Sequence, residues 1–234
     1  MRSPLRFRTA AALMLALVST AALAAAPPQP FTATYRVLSG DQPQGTATLK
    51  LVSLGHGDFL YTSQSRGTEG MAAMLGASSD ESTRFHWTGS APQTISYQAR
   101  IQAFNTKQRR MTVDPSSLAV SVDEGKGTQH YVGVPGMVDR NTLPLALGLA
   151  LAGGQHAVIL PVGVRQRIEQ QHYEVNGSGS VQVPAGRFQA EQVRRSDTDK
   201  PFDAWYAPQF PVPVKITQSE GGDLTLELVS FRRP

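Results

Sequence analysis

Apolar residues recur at every second position along much of the chain. Between residues 31 and 37 every odd position is apolar and every even position is polar, and the same spacing occurs at 47–51, 59–61, 85–87 and 95–101. A strand points successive side chains to opposite faces, so this alternation is typical of strands with one face in a core. Such segments follow one another roughly every 8–12 residues, with no strand–helix–strand pattern. We therefore predict an all-β, mainly antiparallel fold, either a sandwich or an open or partly closed barrel.

Two short polar segments have the chemistry of hairpin turns. Residues 114–117 read Asp-Pro-Ser-Ser and lie between two alternating segments, which predicts a hairpin with a type I turn. Asn176 and Gly177 also lie between two such segments, and Asn-Gly tolerates the positive φ angles of a two-residue hairpin loop. We therefore predict a second hairpin at this position.

One segment departs from the strand pattern. Asn141, Thr142 and Pro144 precede an apolar run, and Gly153-Gly154 follows it. Asn or Thr can cap a helix, Pro is tolerated in the first turn, and glycine ends helices. We predict one short helix near 142–152, packed against or plugged into the sheet, and a further helical turn at 71–75.

The first 24 residues have the features of a secretory signal peptide. Three arginines without an acidic residue precede the apolar run 10–18, and residues 22–24 read Ala-Leu-Ala, a small-x-small cleavage pattern. The apolar run is shorter than the roughly 20 residues that span a bilayer. We predict a cleaved signal peptide at 1–24, a Pro-rich leader at 25–30, a single β-rich domain at 31–234 and a periplasmic location, with no transmembrane segment in the mature chain.

The charge balance changes once the signal peptide is set apart. The whole chain has 22 basic and 18 acidic residues, a net charge of +4, but the three arginines of 1–24 leave 19 basic and 18 acidic residues. A net charge near +1 gives little overall electrostatic support for nucleic acid or an anionic membrane as a partner. The remaining arginine pairs, 109–110, 194–195 and 232–233, are isolated, and we interpret them as solvated strand faces.

The sequence contains no specific catalytic or metal motif. It has no cysteine, which excludes disulfides, thiolate nucleophiles and zinc–thiolate sites. The five histidines are far apart in sequence, and none is three or four residues from another, so no local metal-binding pair exists. We therefore expect no cofactor and no metal, and name no catalytic residue.

Aromatic residues on several strands are the main candidates for binding. If their faces converge, they form either a filled core or the lining of an apolar cavity. The candidates for such a ligand cavity are Tyr35, Tyr61, Phe85, Trp87, Tyr97, Trp205 and Tyr206.

The C-terminal third contains a recognisable set of short motifs. It has Val-Pro-Ala-Gly-Arg-Phe at 183–188, Trp-Tyr-Ala-Pro at 205–208 and Pro-Val-Pro-Val at 211–214. Together with the signal peptide and the opening strand at residue 31, this pattern resembles the bacterial exported family called DUF3108, a domain of unknown function. The resemblance implies an exported, mostly β protein and supplies no catalytic residues.

Three functions follow as hypotheses. The first is a non-enzymatic periplasmic protein that binds a hydrophobic or envelope-derived ligand or assists envelope assembly. The second is an envelope hydrolase whose site is assembled around His130, Asp139 and Arg140, which flank the break between the sheet and the predicted helix. The third is a structural or partner-binding module with an exposed apolar patch or an unpaired strand edge.

Overall fold

The computed structural model describes residues 26–199, 202–218 and 223–234. The predicted signal peptide lies outside the described residues, and positions 26–30 precede the first strand without regular secondary structure. The described strands and helices are β1 (Phe31–Ser39), β2 (Gln42–Gly55), β3 (Asp58–Gly67), α1 (Gly70–Met74), β4 (Ser78–Trp87), β5 (Pro92–Gln102), β6 (Thr106–Val113), β7 (Ala119–Asp123), β8 (Thr128–Val132), α2 (Leu143–Ala152), β9 (Ala157–Gly163), β10 (Ile168–Val183), β11 (Gly186–Arg195), β12 (Phe202–Tyr206), β13 (Lys215–Gln218) and β14 (Leu224–Arg232).

All fourteen described strands form one antiparallel sheet, which confirms the predicted fold class. Its order is β8-β7-β6-β5-β4-β3-β2-β1-β14-β13-β12-β11-β10-β9. Two meanders, β1–β8 and β9–β14, are thus joined where β1 pairs with β14. The sheet is not closed, because β8 and β9 stand at its two edges. This is the open-barrel form of the prediction.

Because neighbouring strands are antiparallel, the turns alternate between two ends of the sheet. The turns after the odd-numbered strands share one end, which we call the distal end. The turns after the even-numbered strands up to β6, and those after β10 and β12, share the other end, which we call the proximal end. Residues 26–30 lead into β1 at the proximal end.

The segment between β8 and α2 covers part of the open edge of the sheet. Val138 forms a parallel bridge with Val162 of β9, and its N–H donates to the carbonyl of Pro161 at 3.0 Å. On the other side, the N–H of Thr94 donates to the carbonyl of Met137 at 2.9 Å. This segment therefore links β5 to the β9 edge by backbone hydrogen bonds.

Helix α2 lies between the two halves of the core, as the apolar run predicts. Leu145 belongs to a cluster with buried residues of β1–β4, whereas Leu143 and Leu147 belong to a cluster with β9–β12. A helix that is apolar on all sides is stable only when it is buried on all sides. The helix therefore lies in the interior of the curved sheet as far as Gly148, and its burial decreases towards Ala152. Neither described helix is long and apolar enough to cross a membrane.

Gly148 allows the helix to approach the chain that connects β12 to β13. A Cβ atom at this position would lie 2.1 Å from the carbonyl oxygen of Pro211 and 3.2 Å from the ring of Tyr206. Only a residue without a Cβ fits such a contact between two backbones. The close packing of α2 against the chain between β12 and β13 thus depends on Gly148.

The structure confirms one predicted turn and shows that the other is wrong. Asp114 Oδ1 accepts the N–H groups of Ser116 and Ser117 at 2.9 and 2.8 Å, and a hairpin joins β6 to β7 there. Strand β10 instead runs straight through Asn176 and Gly177, where its pairing with β11 shifts by one residue. The Asn-Gly pair therefore forms a β-bulge, in which one extra residue is accommodated without reversing the chain.

Candidate functional site

The seven aromatic candidates lie mostly in the packed core. Six of them are buried, and Trp205 is half-buried against the same core. Their hydroxyl groups tie the core together: Tyr35 donates to the carbonyl of Pro213 at 2.9 Å, and Tyr206 donates to the carbonyl of Pro144 in α2 at 3.0 Å. Burial raises the pKa of both hydroxyls well above the usual value. A role of these residues in lining a ligand cavity stays a prediction.

The hydrolase candidates have different neighbours. The ring of His130 contacts the hydroxyl of Ser121 at 3.0 Å on the exposed face of β8. Asp139 is completely buried, and Arg140 borders a surface cleft. The described contacts therefore do not join His130 to the Asp139 carboxylate.

The carboxyl group of Asp139 accepts five hydrogen bonds. Thr83 of β4 and Thr94 of β5 donate their hydroxyls at 2.9 Å each. Thr142 donates its hydroxyl at 3.0 Å and its N–H at 3.2 Å, and Asn141 donates its N–H at 2.9 Å. Burial raises the pKa of this carboxyl, and the hydrogen bonds act in the opposite direction. The group therefore anchors the start of α2 to the sheet.

A cleft of about 540 Å³ at the distal end is the strongest candidate site. Five arginines contribute to its lining, together with Val164, Glu169 and Thr198. The arginines are Arg109, Arg140, Arg165, Arg167 and Arg195. We call this feature the arginine cleft.

Strand alternation places two of these arginines inside the curved sheet. Arg109 shares a face of β6 with the buried residues Met111 and Val113. Arg195 shares a face of β11 with buried Val193. Their side chains are each only 21% exposed. They form the floor of the cleft because the inner face becomes polar at the distal end of the strands.

The rim of the cleft comes from the turn between β9 and β10. Arg165 and Arg167 lie in or beside this turn, and their side chains are 73% and 72% exposed. Arg140 lies in the segment between β8 and α2, directly after the buried residue Asp139. The cleft therefore collects cations from segments that are distant in sequence.

Three carboxylates hold the arginines in place. Glu124 pairs with Arg109 and lies 3.3 Å from Arg165. Glu169 contacts Arg167 at 2.6 Å and Arg195 at 3.7 Å. Shared carboxylates of this kind fix the guanidinium groups in position before any ligand binds.

The third carboxylate, Asp197, forms a bidentate pair with Arg195, with both N–O distances at 2.8 Å. The hydrogen bonds from Arg195 lower the pKa of Asp197 to about 2, although burial acts against them. The carboxylate is therefore ionised under physiological conditions. Together with Glu124 and Glu169 it contacts four arginines of the cleft, Arg109, Arg165, Arg167 and Arg195.

A second cleft, of about 430 Å³, lies beside the first. Its lining comes mainly from the outer face of β3–β6 and mixes Asp80 and Glu81 with Arg100 and Arg110. The charges there are balanced, and Glu81 already accepts a hydrogen bond from Tyr97 at 2.6 Å. The arginine cleft is thus the one of the two with a marked excess of charge.

Comparison with known proteins supports the fold. The family model described as "Protein of unknown function (DUF3108)" matches residues 31–229. The chain belongs to the DUF3108 family. A crystal structure of a β-barrel-like protein of the domain of unknown function DUF1849, from Brucella abortus, is similar to this DUF3108 protein with a TM-score of 0.56. The match has 10% sequence identity and covers 88% of this chain and 98% of the other. None of the curated proteins compared with the DUF3108 protein matches it.

The sequence interpretation missed the arginine cleft of this DUF3108 protein. The interpretation of all three arginine pairs as solvated strand faces is wrong for Arg109 and Arg195, since these two side chains are mostly covered. One signal was available: each lies an even number of residues from an apolar residue of its strand, Met111 or Val193. That spacing places both arginines on the inner face.

Proposed function

We propose that this DUF3108 protein is exported to the periplasm and acts there as a non-enzymatic protein that binds an anionic, envelope-derived ligand in the arginine cleft. The observation that carries the proposal is the cleft itself, whose lining contains five arginines and one carboxylate, that of Glu169. Its volume of about 540 Å³ lies within the range of small-molecule sites, about 300–1,000 Å³.

Arginine suits this role because of its geometry. The guanidinium group is planar and always charged, and it forms bidentate hydrogen bonds with carboxylate or phosphate. The rim residues Arg165 and Arg167 are mostly exposed and offer such groups to a ligand, whereas Arg195 in the floor already forms a bidentate pair with Asp197. A ligand with two or more negative charges matches the spread of these donors along the rim.

The environment of the candidate catalytic residues favours binding over hydrolysis. All five hydrogen bonds to Asp139 come from the anchor around α2, so its oxygens are already engaged. His130 contacts a serine on an exposed strand face. A general base must reach the proton that it abstracts, and neither group is placed beside the arginine cleft by the described contacts.

Export of the protein rests on the sequence of residues 1–24. When the gene is expressed with its native N-terminus, we expect the periplasmic fraction to contain a protein that begins at Ala25. Intact-mass and N-terminal peptide analysis of each cell fraction measures this. Replacing Ala22 and Ala24 with arginine removes the small residues of the cleavage pattern and should leave the precursor unprocessed. Full-length wild-type protein in the cytoplasm would contradict the proposed location.

Anion binding is tested by titration with inorganic pyrophosphate at low ionic strength. The variant Arg165→Gln/Arg167→Gln removes two exposed positive charges from the rim of the cleft. We expect its affinity for pyrophosphate to fall at least about tenfold, because each charge-assisted hydrogen bond contributes about 1.5–3 kcal/mol. Isothermal titration calorimetry measures the change.

The control for this titration is Arg84→Gln. Arg84 is also an exposed arginine in an ion pair, with Asp58, but it lies toward the proximal end of the sheet. Its loss should leave pyrophosphate affinity unchanged. If both variants weaken binding equally, or if the wild-type protein does not bind pyrophosphate at all, the arginine cleft is not an anion site.

A further inference from the structure

The hairpin formed by β5 and β6 has an unusual charge distribution. Residues 92–113 contain four basic side chains and no acidic one. Three of the basic residues, Arg100, Lys107 and Arg110, are exposed, and the fourth is Arg109 of the arginine cleft. Acidic residues of the neighbouring strands face two of these cations, since Arg100 is in register with Asp80 of β4 and Arg110 with Asp123 of β7, whereas Lys107 is in register with Ile101.

The tip of the same hairpin presents an apolar side chain to solvent. Phe104 lies in the turn between β5 and β6 and is 81% exposed. Ile101, at the end of β5, is also exposed on the inner face above Ala99. Within the described contacts of that turn, Phe104 has no apolar partner.

The adjacent turn adds two more exposed apolar residues. Gln102 at the end of β5 pairs with Ser78 at the start of β4, so the turn with α1 stands next to the tip of the β5–β6 hairpin. Met71 and Met74 of α1 are exposed there, and α1 has no buried residue. Both turns lie at the distal end, which is also where the arginine cleft opens.

We infer that the distal end docks on the surface of an anionic membrane, with Phe104 in the interfacial layer and a lipid head group in the arginine cleft. This inference rests on the proposed function, because it takes the anion of the cleft to be part of a lipid that is still in the bilayer. Shallow insertion requires both components. Apolar tips bury area at the acyl boundary, and nearby cations are attracted to anionic head groups.

The charge argues for a membrane rather than a loose hydrophobic ligand. Basic side chains near an anionic surface each gain attraction that falls off within a Debye length, so they act only when the surface is close. Lys107, three residues after Phe104, and the exposed rim residues Arg165 and Arg167 lie at the same distal end and approach the surface together with the apolar tip. An isolated hydrophobic molecule offers no counter-charge to this group.

The test is sedimentation of the mature protein with phosphatidylcholine vesicles prepared with and without phosphatidylglycerol, at low and high salt. We expect binding only to the anionic vesicles and its loss at high salt. The variant Phe104→Ser should partition about tenfold less, because it removes the aromatic area that is buried at the acyl boundary. Since Phe104 is almost fully exposed, the folded state should be unchanged, and thermal unfolding verifies this.

The matched control is Val132→Ser. Val132 is 73% exposed but lies at the proximal end, where it pairs with Ala119. Its replacement should not change vesicle binding. Equal binding to both kinds of vesicle, or equal losses with Phe104→Ser and Val132→Ser, overturns the docking surface.

The pyrophosphate titration separates this inference from the proposed function. If the protein binds pyrophosphate and does not bind anionic vesicles, the cleft takes a free anion and membrane docking is wrong. If it binds vesicles through Phe104 while Arg165→Gln/Arg167→Gln affects neither vesicles nor pyrophosphate, docking does not involve the cleft, and the inference is wrong in that part.

Discussion

Replacing Asp139 with alanine is expected to destabilise the protein by about 3–5 kcal/mol, because several buried donors lose their acceptor together. The hydroxyls of Thr83, Thr94 and Thr142 all point at this carboxyl, as do two backbone N–H groups. An unsatisfied buried donor costs about 1–3 kcal/mol. Urea denaturation followed by circular dichroism measures the loss, which is large beside a typical total stability of about 5–15 kcal/mol.

Asp80 offers a control that separates the loss of the buried hydrogen bonds around Asp139 from the loss of a negative charge. Asp80 pairs with Arg66 on the exposed side of the sheet, and Asp80→Ala should cost less than about 1 kcal/mol, as exposed ion pairs do. Similar losses for Asp139→Ala and Asp80→Ala would show that the hydrogen bonds around Asp139 do not hold α2 to the sheet.

The variant Asp139→Asn tests how the titration of Asp139 affects the stability of the protein. Burial raises the pKa of Asp139, so between the unfolded value near 4 and the raised folded value the native state binds more protons than the unfolded chain. The stabilisation that results from the raised pKa is fully present below pH 4 and is lost as the pH rises through the pKa of Asp139 in the folded state. Since asparagine does not titrate, the stability difference between wild type and Asp139→Asn should change across that window.

Replacing Gly148 with alanine should also be strongly destabilising, by about 2–3 kcal/mol. In an exposed helix the same change stabilises by up to about 1 kcal/mol, because alanine has the higher helix propensity. Here the new Cβ would lie 2.1 Å from the carbonyl oxygen of Pro211, so either α2 or the β12–β13 connection must move. Chemical denaturation measures the change in stability.

Gly153 offers the control for this substitution within the same part of the chain. It follows α2 with φ −80°, which alanine adopts without strain, and it is exposed. Gly153→Ala should change stability by less than about 1 kcal/mol. A neutral or stabilising effect of Gly148→Ala would mean that the helix is not seated against Pro211.

Local patterns predicted the strands and the buried helix, because both follow from the period of the apolar residues. The alternation at 31–37 and 47–51 becomes the inner faces of β1 and β2, and the apolar run after Asn141 becomes α2. Asn176-Gly177 misled the prediction because neither residue adopts the positive φ of a two-residue hairpin loop. The flanking strand continues through the pair, and the pairing with β11 shows a bulge rather than a turn.

The candidate site could not be read from local patterns, because it forms where distant strands meet. Arg109 belongs to β6 and Arg195 to β11, in different meanders of the sheet. They come together only when the curvature of the sheet brings the β8 side towards the β9 side. The Asp139 anchor is equally non-local, since its partners lie on β4 and β5. Neither arrangement produces a recognisable spacing in the sequence. Alternation along each strand indicates only which face of the sheet each residue occupies.

The pairing of β1 with β14 has a consequence for the order of folding. Each meander consists of hairpins between consecutive strands, which can form as soon as their residues are available. The contact between β1 and β14 joins residues as far as 200 positions apart, such as Thr32 and Arg232. Closing so long a loop has a high entropic cost and slows folding. One edge of β1 therefore stays unpaired until β14 has been made, and during that interval it is a site at which a second unfolded chain can add a strand.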